Sequence, residues 1–230
     1  MKEPTLLLSL RRQLRRVADA SKAPGMQAYM KSSMPYHGVP APVLWRTCQR
    51  LFDDWELTSA RIWQAHVREL WRGATHREER YAAILLCGDK RAAAFQTPEA
   101  MRLYEEIVVT GAWWDYVDSV ASRRVGPILQ NYPEPLKKMM RVWSQADNLW
   151  KRRASILCQL GCKHETDLEL LYACIQPSLD SNEFFLRKAI GWALRQYART
   201  DPQEVKHYVR RNEGRLSNLS KREALKRIAK

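Results

Sequence analysis

The sequence predicts an all-α fold, a solenoid built from helical repeats. Apolar residues recur at helical spacing along nearly the whole chain, whereas the strict alternation that indicates half-buried strands is scarce. Leu, Ala, Arg and Glu outnumber Val and Ile, which also favours helices. A third observation, a recurrence of related residues every 35 or 36 positions, indicates that the helices are arranged as repeats.

Helix starts are marked by capping residues. Thr97-Pro98-Glu99 and Asp201-Pro202 each place a capping side chain before a proline at the first helical position. Ser220-Lys221-Arg222-Glu223 has the spacing of a capping box and predicts the start of the last helix. Five glycines fall near expected helix ends or links: Gly73, Gly88, Gly111, Gly161 and Gly214.

The repeat is weak in residue identity but regular in spacing. Trp150 to Ala154 and Phe185 to Ala189 share one character, an aromatic residue, two basic residues and an alanine. Ala82 and Asp118 continue the series toward the N-terminus, so that positions 82, 118, 154 and 189 are spaced by 36, 36 and 35 residues. This is the period of a helix pair in an α-solenoid of HEAT or related type.

A solenoid of this kind brings corresponding helices to one face. Asp118, Arg153 and Lys188 occupy corresponding repeat positions, so we expect them to converge on a single concave, basic surface. No linker long enough to divide the chain is evident, and residues 1–230 are predicted to form a single domain. Because the repeat surface is self-contained, the expected state is a monomer.

The charge balance indicates a polyanionic partner. Lys and Arg outnumber Asp and Glu by 39 to 25, which gives a net charge of +14. Nucleic acid is the partner that such an excess most often serves. A membrane surface is the rival, but the sequence has no run of eighteen apolar residues and no isolated basic tail. The short run Leu6-Leu7-Leu8 is followed by arginines and does not predict a signal peptide.

Cysteine and histidine patterns give no metal site and no disulfide framework. The five cysteines include no CxxC pair, and Cys158 and Cys162 are spaced as on one helical face. Small core residues in a reducing cytosol explain them best, which predicts a cytoplasmic protein. The five histidines form no HxxxH or HExxH pair.

The strongest candidate site is the run Trp113 to Asp118. If it is helical, Trp114 and Asp118 are four residues apart and share a face, while Trp113 points about a hundred degrees away, toward the core. Trp192 and Arg195 share a face of a later helix in the same way. Asp118 repels a phosphate backbone, so in a cationic binding surface it suits a site that stabilises a developing positive charge. The ordinary alternative is a salt-bridged surface acid.

Other residues extend this site. Gly191 is unfavourable inside a helix unless another chain or a ligand approaches closely, which favours a functional face beside Trp192. Arg153, Lys188 and Arg195 are either solvated charges or, gathered on a concave face, clamps for phosphate groups.

A second candidate contact region lies near the N-terminus. Tyr29-Met30-Lys31 precedes a segment, Ser32 to Pro40, that is punctuated by proline and glycine. Its position between a short helix and the first long one makes this loop a candidate for contact with DNA.

Several of these segments resemble the AlkD-type alkylpurine DNA glycosylases, the DNA alkylation repair group with HEAT-like repeats. The resemblance runs in the same order along nearly the whole chain. It is carried by Tyr29-Met30-Lys31, the Trp-Trp-Asp-x-Val-Asp string at 113–118, 147–154, Phe184-Phe185, the Lys-Ala-Ile-Gly-Trp-x-Leu-Arg string at 188–195, and Leu219 to Ala224.

The resemblance implies a curved helical solenoid whose concave basic face holds duplex DNA. It implies cleavage of the N-glycosidic bond of cationic alkylated purines, such as 3-methyladenine and 7-methylguanine, without flipping the base into a pocket. By position, Asp118 matches the family's catalytic carboxylate, and Trp114 and Trp192 match aromatic residues that flank the lesion's deoxyribose. Arg153, Arg195 and Tyr29 match residues that lie near or contact the DNA.

The chemistry requires no cofactor. A cationic purine leaves as a neutral base without a general acid, and Asp118 stabilises the oxocarbenium-like sugar and orients the attacking water. The indoles of Trp114 and Trp192 favour the same cation by roughly 0.5–2 kcal/mol each. No lysine attacks the sugar, which predicts a monofunctional glycosylase that needs neither metal nor nucleotide.

Two alternatives remain open from the sequence. A non-catalytic solenoid that recognises damaged or branched DNA shares the basic face and differs only in whether Asp118 does chemistry. A HEAT-type scaffold for proteins is disfavoured by the charge.

Overall fold

A computed structural model describes residues 5–226 and residue 228. Throughout those residues the secondary structure is helical, without a β-strand. The chain divides into two compact units, Met1–Gln96 and Thr97–Lys230. The recurring helices confirm the predicted class, an all-α solenoid of repeats. A concave basic face and a single domain over 1–230 stay predictions.

The described part of the N-terminal unit, residues 5–96, contains five α-helices around an apolar core. These are α1 (Leu6–Val17), α2 (Ala23–Met30), α3 (Ala41–Asp53), α4 (Ala60–Arg72) and α5 (Arg77–Leu86). Helices α1, α3 and α4 pack against α5, and α1 also packs against α3 and α4. A short 3₁₀ helix follows α5 and leads to the end of the unit.

The N-terminus of α5 carries two buried carboxylates that fix the rest of the unit. Glu78 accepts hydrogen bonds from the backbone amides of His37, Gly38 and Val39, at 3.0, 2.9 and 3.0 Å. Glu79 accepts two from Arg11 of α1, at 3.0 and 3.1 Å. Because buried carboxylates are stable only when paired, these bonds hold α1 and the loop before α3 against α5.

The C-terminal unit stacks helices in neighbouring pairs. Helix α7 packs against α6 and α10, α10 packs against α9 and α12, and α12 packs against α14. The helices of this unit are α6 (Met101–Gly111), α7 (Trp114–Val120), α8 (Gly126–Asn131), α9 (Pro133–Ser144), α10 (Leu149–Leu157), α11 (Leu168–Ile175), α12 (Phe184–Tyr197), α13 (Pro202–Arg211) and α14 (Asn218–Leu225).

The predicted repeat positions lie on such stacked helices. Asp118, Ala154 and Ala189 fall on α7, α10 and α12, which are neighbours, and Ala82 falls on α5 of the N-terminal unit. All four positions are buried, the three alanines completely. Alanine at three of these buried positions occupies little volume, which suits closely packed helices.

Helices α7 and α8 are joined by one π-helical turn, Ala121–Val125. The turn begins three residues after Asp118, whose carbonyl accepts a hydrogen bond from the hydroxyl of Ser122 at 2.7 Å. Just after it, Gly126 lies so close to α10 that an added Cβ would stand 2.4 Å from the carbonyl oxygen of Cys158. Turns of this kind often occur at functional sites.

Two predicted helix starts agree with the structure in part. Asp201 caps α13, its carboxylate accepting hydrogen bonds from the amides of Gln203 and Glu204. Thr97-Pro98 opens a short 3₁₀ helix, Pro98–Ala100, that runs into α6.

The predicted capping box at Ser220 is wrong. Helix α14 begins three residues earlier, with Ser217 as its cap, whose hydroxyl accepts from the amide of Ser220 at 3.0 Å. Ser220 is therefore inside the helix, and Glu223 does not close a capping box. The Ser217-x-x-Ser220 pair supplied a competing start signal of the same spacing.

Of the cysteines, four are buried, and Cys162 is half-buried. Burial raises the pKa of the Cys48 thiol to about 12, which agrees with a core role. Within the described residues no helix is both long and apolar enough to span a bilayer.

Candidate active site

The centre of the candidate site is an ion pair between Asp118 of α7 and Arg153 of α10. The Nε and Nη2 atoms of Arg153 donate to the two carboxylate oxygens of Asp118, at 2.6 and 2.8 Å. Asp118 is 8% exposed and Arg153 is 4% exposed. The sequence placed both side chains on the surface, and this is wrong: the close packing of α7 against α10 encloses them.

Burial raises the pKa of Asp118, and the hydrogen bonds and charge of Arg153 act in the opposite direction. Nearby Asp115 adds a smaller raising contribution. A buried carboxylate without a partner would be neutral at ordinary pH. The two hydrogen bonds from Arg153 therefore favour the ionised form of Asp118.

Arg153 is itself held from a third helix. Its Nη1 donates to the carbonyl oxygen of Phe185, in the first turn of α12, at 2.5 Å. The ring of Phe185 packs edge-on against Trp113, at 5.5 Å between centroids, and lies 5.0 Å from the ring of Trp150. Trp113 thus joins an aromatic cluster that fixes the guanidinium facing Asp118. It is half-buried, as Trp114 is, so the predicted burial of Trp113 in the core is wrong.

Trp114 and Trp192 occupy the helix positions that the sequence predicted. Trp114 opens α7, one turn before Asp118, and is half-buried. Trp192 is half-buried on α12, two turns after Phe185 and therefore on the same stripe of that helix. Lys188 and Arg195 lie on this stripe as well.

Lys188 and Arg195 share one carboxylate, that of Glu223 on α14. The Nζ atom of Lys188 lies 3.1 Å from Oε1, and Nη1 of Arg195 contacts Oε2. The two cations lower the pKa of Glu223, Lys188 by its hydrogen bond most of all. Both cations remain partly exposed, at 38% and 24% of the side chain, so each can still reach a phosphate group.

Sequence reasoning missed Glu223, although a signal existed. Glu223 follows Lys188 by 35 residues, the same spacing that separates Asp118 from Arg153. A charged pair at the repeat spacing joins neighbouring helices in both cases. The capping-box interpretation of Ser220 had assigned Glu223 another role.

The close approach at Gly191 is made by this chain and not by a ligand. An added Cβ would stand 2.6 Å from the Cβ of Glu223 and 3.0 Å from the carbonyl oxygen of Ser220. The expectation that Gly191 marks a functional face is therefore wrong. The glycine lets α14 pack against α12, which places Glu223 between Lys188 and Arg195.

The N-terminal candidates differ in accessibility. Tyr29 is 79% exposed near the end of α2, and Lys31, which ends that helix, is exposed. In the following loop Tyr36, Gly38 and Val39 are buried. Ser33 and Pro35 of the same loop are exposed, so the predicted contact with DNA rests on Tyr29, Lys31 and these two positions.

One histidine cluster has ligand-type atoms at close range. Atoms of His37, His76 and Glu79 lie within 4.8 Å of one another. The two imidazole rings are stacked 3.7 Å apart and nearly parallel, so their in-plane lone pairs do not converge on one point. Arg11 also occupies both oxygens of Glu79. This arrangement suits a hydrogen-bonded cluster better than a metal centre.

Comparison with known proteins assigns the chain to a family. The model of the family described as DNA alkylation repair enzyme matches residues 10–228, and the chain belongs to that family. A solved structure of a predicted DNA alkylation repair enzyme from Enterococcus faecalis is 30% identical, with a TM-score of 0.82. The match covers 93% of this chain and 97% of that one. No curated protein matches the sequence.

Family membership confirms the resemblance drawn from the sequence and supports a role in DNA repair, with DNA as the partner. Neither the lesion nor the reaction follows from membership alone. Those depend on what the side chains around Asp118 can do.

Proposed function

We propose that the protein is a monofunctional DNA glycosylase that releases cationic N-alkylated purines, such as 3-methyladenine and 7-methylguanine, from duplex DNA. The observation that carries this proposal is the buried carboxylate of Asp118, kept ionised by Arg153. It lies one turn from Trp114, in a protein with a net charge of +14. A fixed anion in a DNA-binding protein suits a reaction that creates positive charge.

The reaction requires little of the protein beyond electrostatics. In a cationic purine nucleotide the bond between C1′ and the base nitrogen breaks, and its electron pair neutralises the departing base. The sugar becomes an oxocarbenium ion, which Asp118 stabilises. A water then adds to C1′ and releases its proton to the solvent. A carboxylate accepts about four hydrogen bonds, so the two from Arg153 leave lone pairs of Asp118 for that water.

The aromatic residues serve the same cation. Trp114 and Trp192 are half-buried, so each keeps part of its indole surface for the substrate. An indole face attracts an adjacent cation by roughly 0.5–2 kcal/mol. The sugar needs no extrahelical pocket for this contact, and we propose that the base is released without flipping.

Basic and aromatic side chains in both units are proposed to bind the DNA backbone. In the C-terminal unit these are Lys188 and Arg195, which Glu223 holds in place. In the N-terminal unit they are the exposed Tyr29 and Lys31. Arg153 has both a carboxylate and a carbonyl partner, so its proposed contribution to DNA binding is through Asp118 and the local packing.

One observation favours a second candidate, a non-catalytic protein that recognises damaged or branched DNA. Both oxygens of Asp118 are engaged by Arg153, and the side chain is only 11% exposed. A purely structural ion pair that joins two helices would have the same geometry. The two candidates share the DNA-binding residues and differ in whether a base is released.

Base release separates them. The protein is incubated with duplex DNA that contains 7-methylguanine, and the free base is quantified beside a mock incubation. The proposed function predicts release above the spontaneous rate, with a strand that stays intact until alkali cleaves the abasic site. Salt-sensitive duplex binding without release would favour the non-catalytic candidate.

A further inference from the structure

A second groove, outside the candidate active site, lies in the N-terminal unit between α3 and the segment 85–91. Its volume is 740 Å³, within the range of about 300–1,000 Å³ that is typical of small-ligand sites. Trp45 and Gln49, one turn apart on α3, form one wall. Trp45 is 50% exposed, which is unusual for an indole without a partner chain.

Of the two carboxylates that line the groove, Asp89 is held in an ion pair and Asp53 is exposed. Arg91 pairs with Asp89, its Nη2 lying 2.7 Å from Oδ2, and the charge of Asp53 also acts on Arg91. The same guanidinium donates to the carbonyl oxygens of Phe52, in the last turn of α3, and of Trp55, just beyond the helix, at 2.9 and 3.1 Å. Arg91 therefore fixes the floor of the groove and neutralises Asp89.

Three cations around the groove remain. Arg46 and Arg50 form a row along α3 beside Trp45, and Lys90 comes from the opposite wall. All three are exposed. Their side chains make no ion pair or hydrogen bond with any residue in the described part of the chain. The groove thus combines an accessible indole with an excess of positive charge, because four cations and two carboxylates line it.

We propose that this groove binds an unpaired nucleotide of a single-stranded nucleic acid. The base stacks on Trp45, and the flanking phosphates contact Arg46, Arg50 and Lys90. An indole among cations is the arrangement of single-strand stacking sites. Within a duplex the faces of the bases are covered by their neighbours, so only an unpaired base can present its face to Trp45. The property goes beyond the proposed excision and does not depend on it.

The test measures binding of a fluorescein-labelled single-stranded thymidine oligonucleotide by anisotropy. The wild-type protein is compared with Trp45→Ala and with Arg46→Ala/Arg50→Ala. Stacking on an aromatic side chain is worth about 1–3 kcal/mol per base, so Trp45→Ala is expected to weaken binding about tenfold. Arg12→Ala/Arg16→Ala, which removes two exposed charges from α1 of the same unit, is the matched control and is expected to change affinity less than twofold.

A second probe separates stacking from charge. An abasic oligonucleotide of the same length carries the phosphates without bases, and Trp45→Ala is expected to leave its binding unchanged while Arg46→Ala/Arg50→Ala weakens it. Equal affinity of wild type and Trp45→Ala for the thymidine strand overturns the proposal. The proposal is also overturned if Arg12→Ala/Arg16→Ala loses as much affinity as Arg46→Ala/Arg50→Ala, because the loss would then follow from net charge alone. Base release by Trp45→Ala is measured in parallel and is expected to persist.

Discussion

Asp118 and Arg153 are separated by 35 residues, one repeat of the helical array, and form a two-point ion pair between the neighbouring helices α7 and α10. The same contact that holds two repeats together also opposes the rise in the pKa of Asp118 that burial causes. The stability of the fold and the proposed release of the base therefore depend on the same ion pair, and the two can be measured separately.

Arg153→Ala is expected to destabilise the fold and to abolish excision at neutral pH. It leaves the buried Asp118 without a counterion, and breaking such a pair costs about 3–5 kcal/mol. The free energy of unfolding from urea denaturation measures the first effect, and release of 7-methylguanine from folded protein measures the second. Arg199→Ala removes an exposed charge from the same unit and is expected to change stability by less than about 0.5 kcal/mol. Wild-type stability in Arg153→Ala would contradict this dependence on the ion pair.

The rate of excision is expected to fall in acid at a higher pH than an ordinary Asp would produce. Burial raises the pKa of Asp118, and only the ionised form stabilises the sugar cation, so activity is lost as pH falls through that raised pKa. The unperturbed value is about 3.9. Single-turnover rates across acidic pH, corrected for spontaneous release, measure it. Arg153 lowers the pKa of Asp118, and Arg153→Gln removes that effect. The fall of the excision rate in acid is therefore expected to begin at a still higher pH in this variant. A rate that is constant down to pH 4 would contradict the assignment.

Glu79 is expected to make the folded state sensitive to acid. Burial alone would raise its pKa, but hydrogen bonds from His37, Arg11 and the amide of Thr75 outweigh it and lower the pKa to about 2. The stabilisation is complete above the unfolded pKa, near 4.3, and is lost as pH falls toward the folded value. Glu79→Gln is therefore expected to lower stability by about 3 kcal/mol at pH 7 and by progressively less below pH 4.

Denaturation of this variant in urea at pH 7, 5 and 3 measures that difference. Glu56→Gln, which changes an exposed carboxylate of the same unit, is the control and is expected to have little effect at any of these pH values. A deficit in Glu79→Gln that does not shrink at pH 3 would show that the ionised carboxylate is not its source.

Gly191→Ala is expected to separate α12 from α14. The new Cβ would stand 2.6 Å from the Cβ of Glu223 and close to the backbone of Ser220, and overpacking of this kind costs about 1–3 kcal/mol. We expect a lower melting temperature and weaker, less salt-sensitive DNA binding, because Glu223 no longer positions Lys188 and Arg195. Gly214→Ala, where no atom lies within 4 Å of an added Cβ, is the control. Equal melting temperatures for the two variants would contradict this packing.

The sequence was sufficient to predict that the fold is helical and which residues share a face of a single helix. Trp114 precedes Asp118 by one turn, and Trp192 precedes Arg195 by three residues, as periodicity predicts. The family resemblance supplied the role of Asp118. Its burial was not predictable in the same way, because exposure depends on how closely α10 approaches α7, and residues such as Gly126 set that distance.

The contacts between helices could not be predicted from the residue pattern within each helix. The partner of Lys188 and Arg195 is Glu223, on a helix whose start the sequence placed three residues too late. The carbonyl of Phe185 that holds Arg153 is a backbone atom, which no residue type signals. Only the repeat spacing of 35 residues carries information on such pairs.

The most direct test of the central claim compares wild type with Asp118→Asn on duplex DNA that contains 7-methylguanine. Asparagine keeps the size of the side chain but removes the charge, so release of the free base is expected to fall by about a hundredfold or more. Affinity for the same duplex without the lesion is expected to stay within about twofold of wild type. Undiminished release by a folded Asp118→Asn protein would contradict the claim that this carboxylate stabilises the sugar cation.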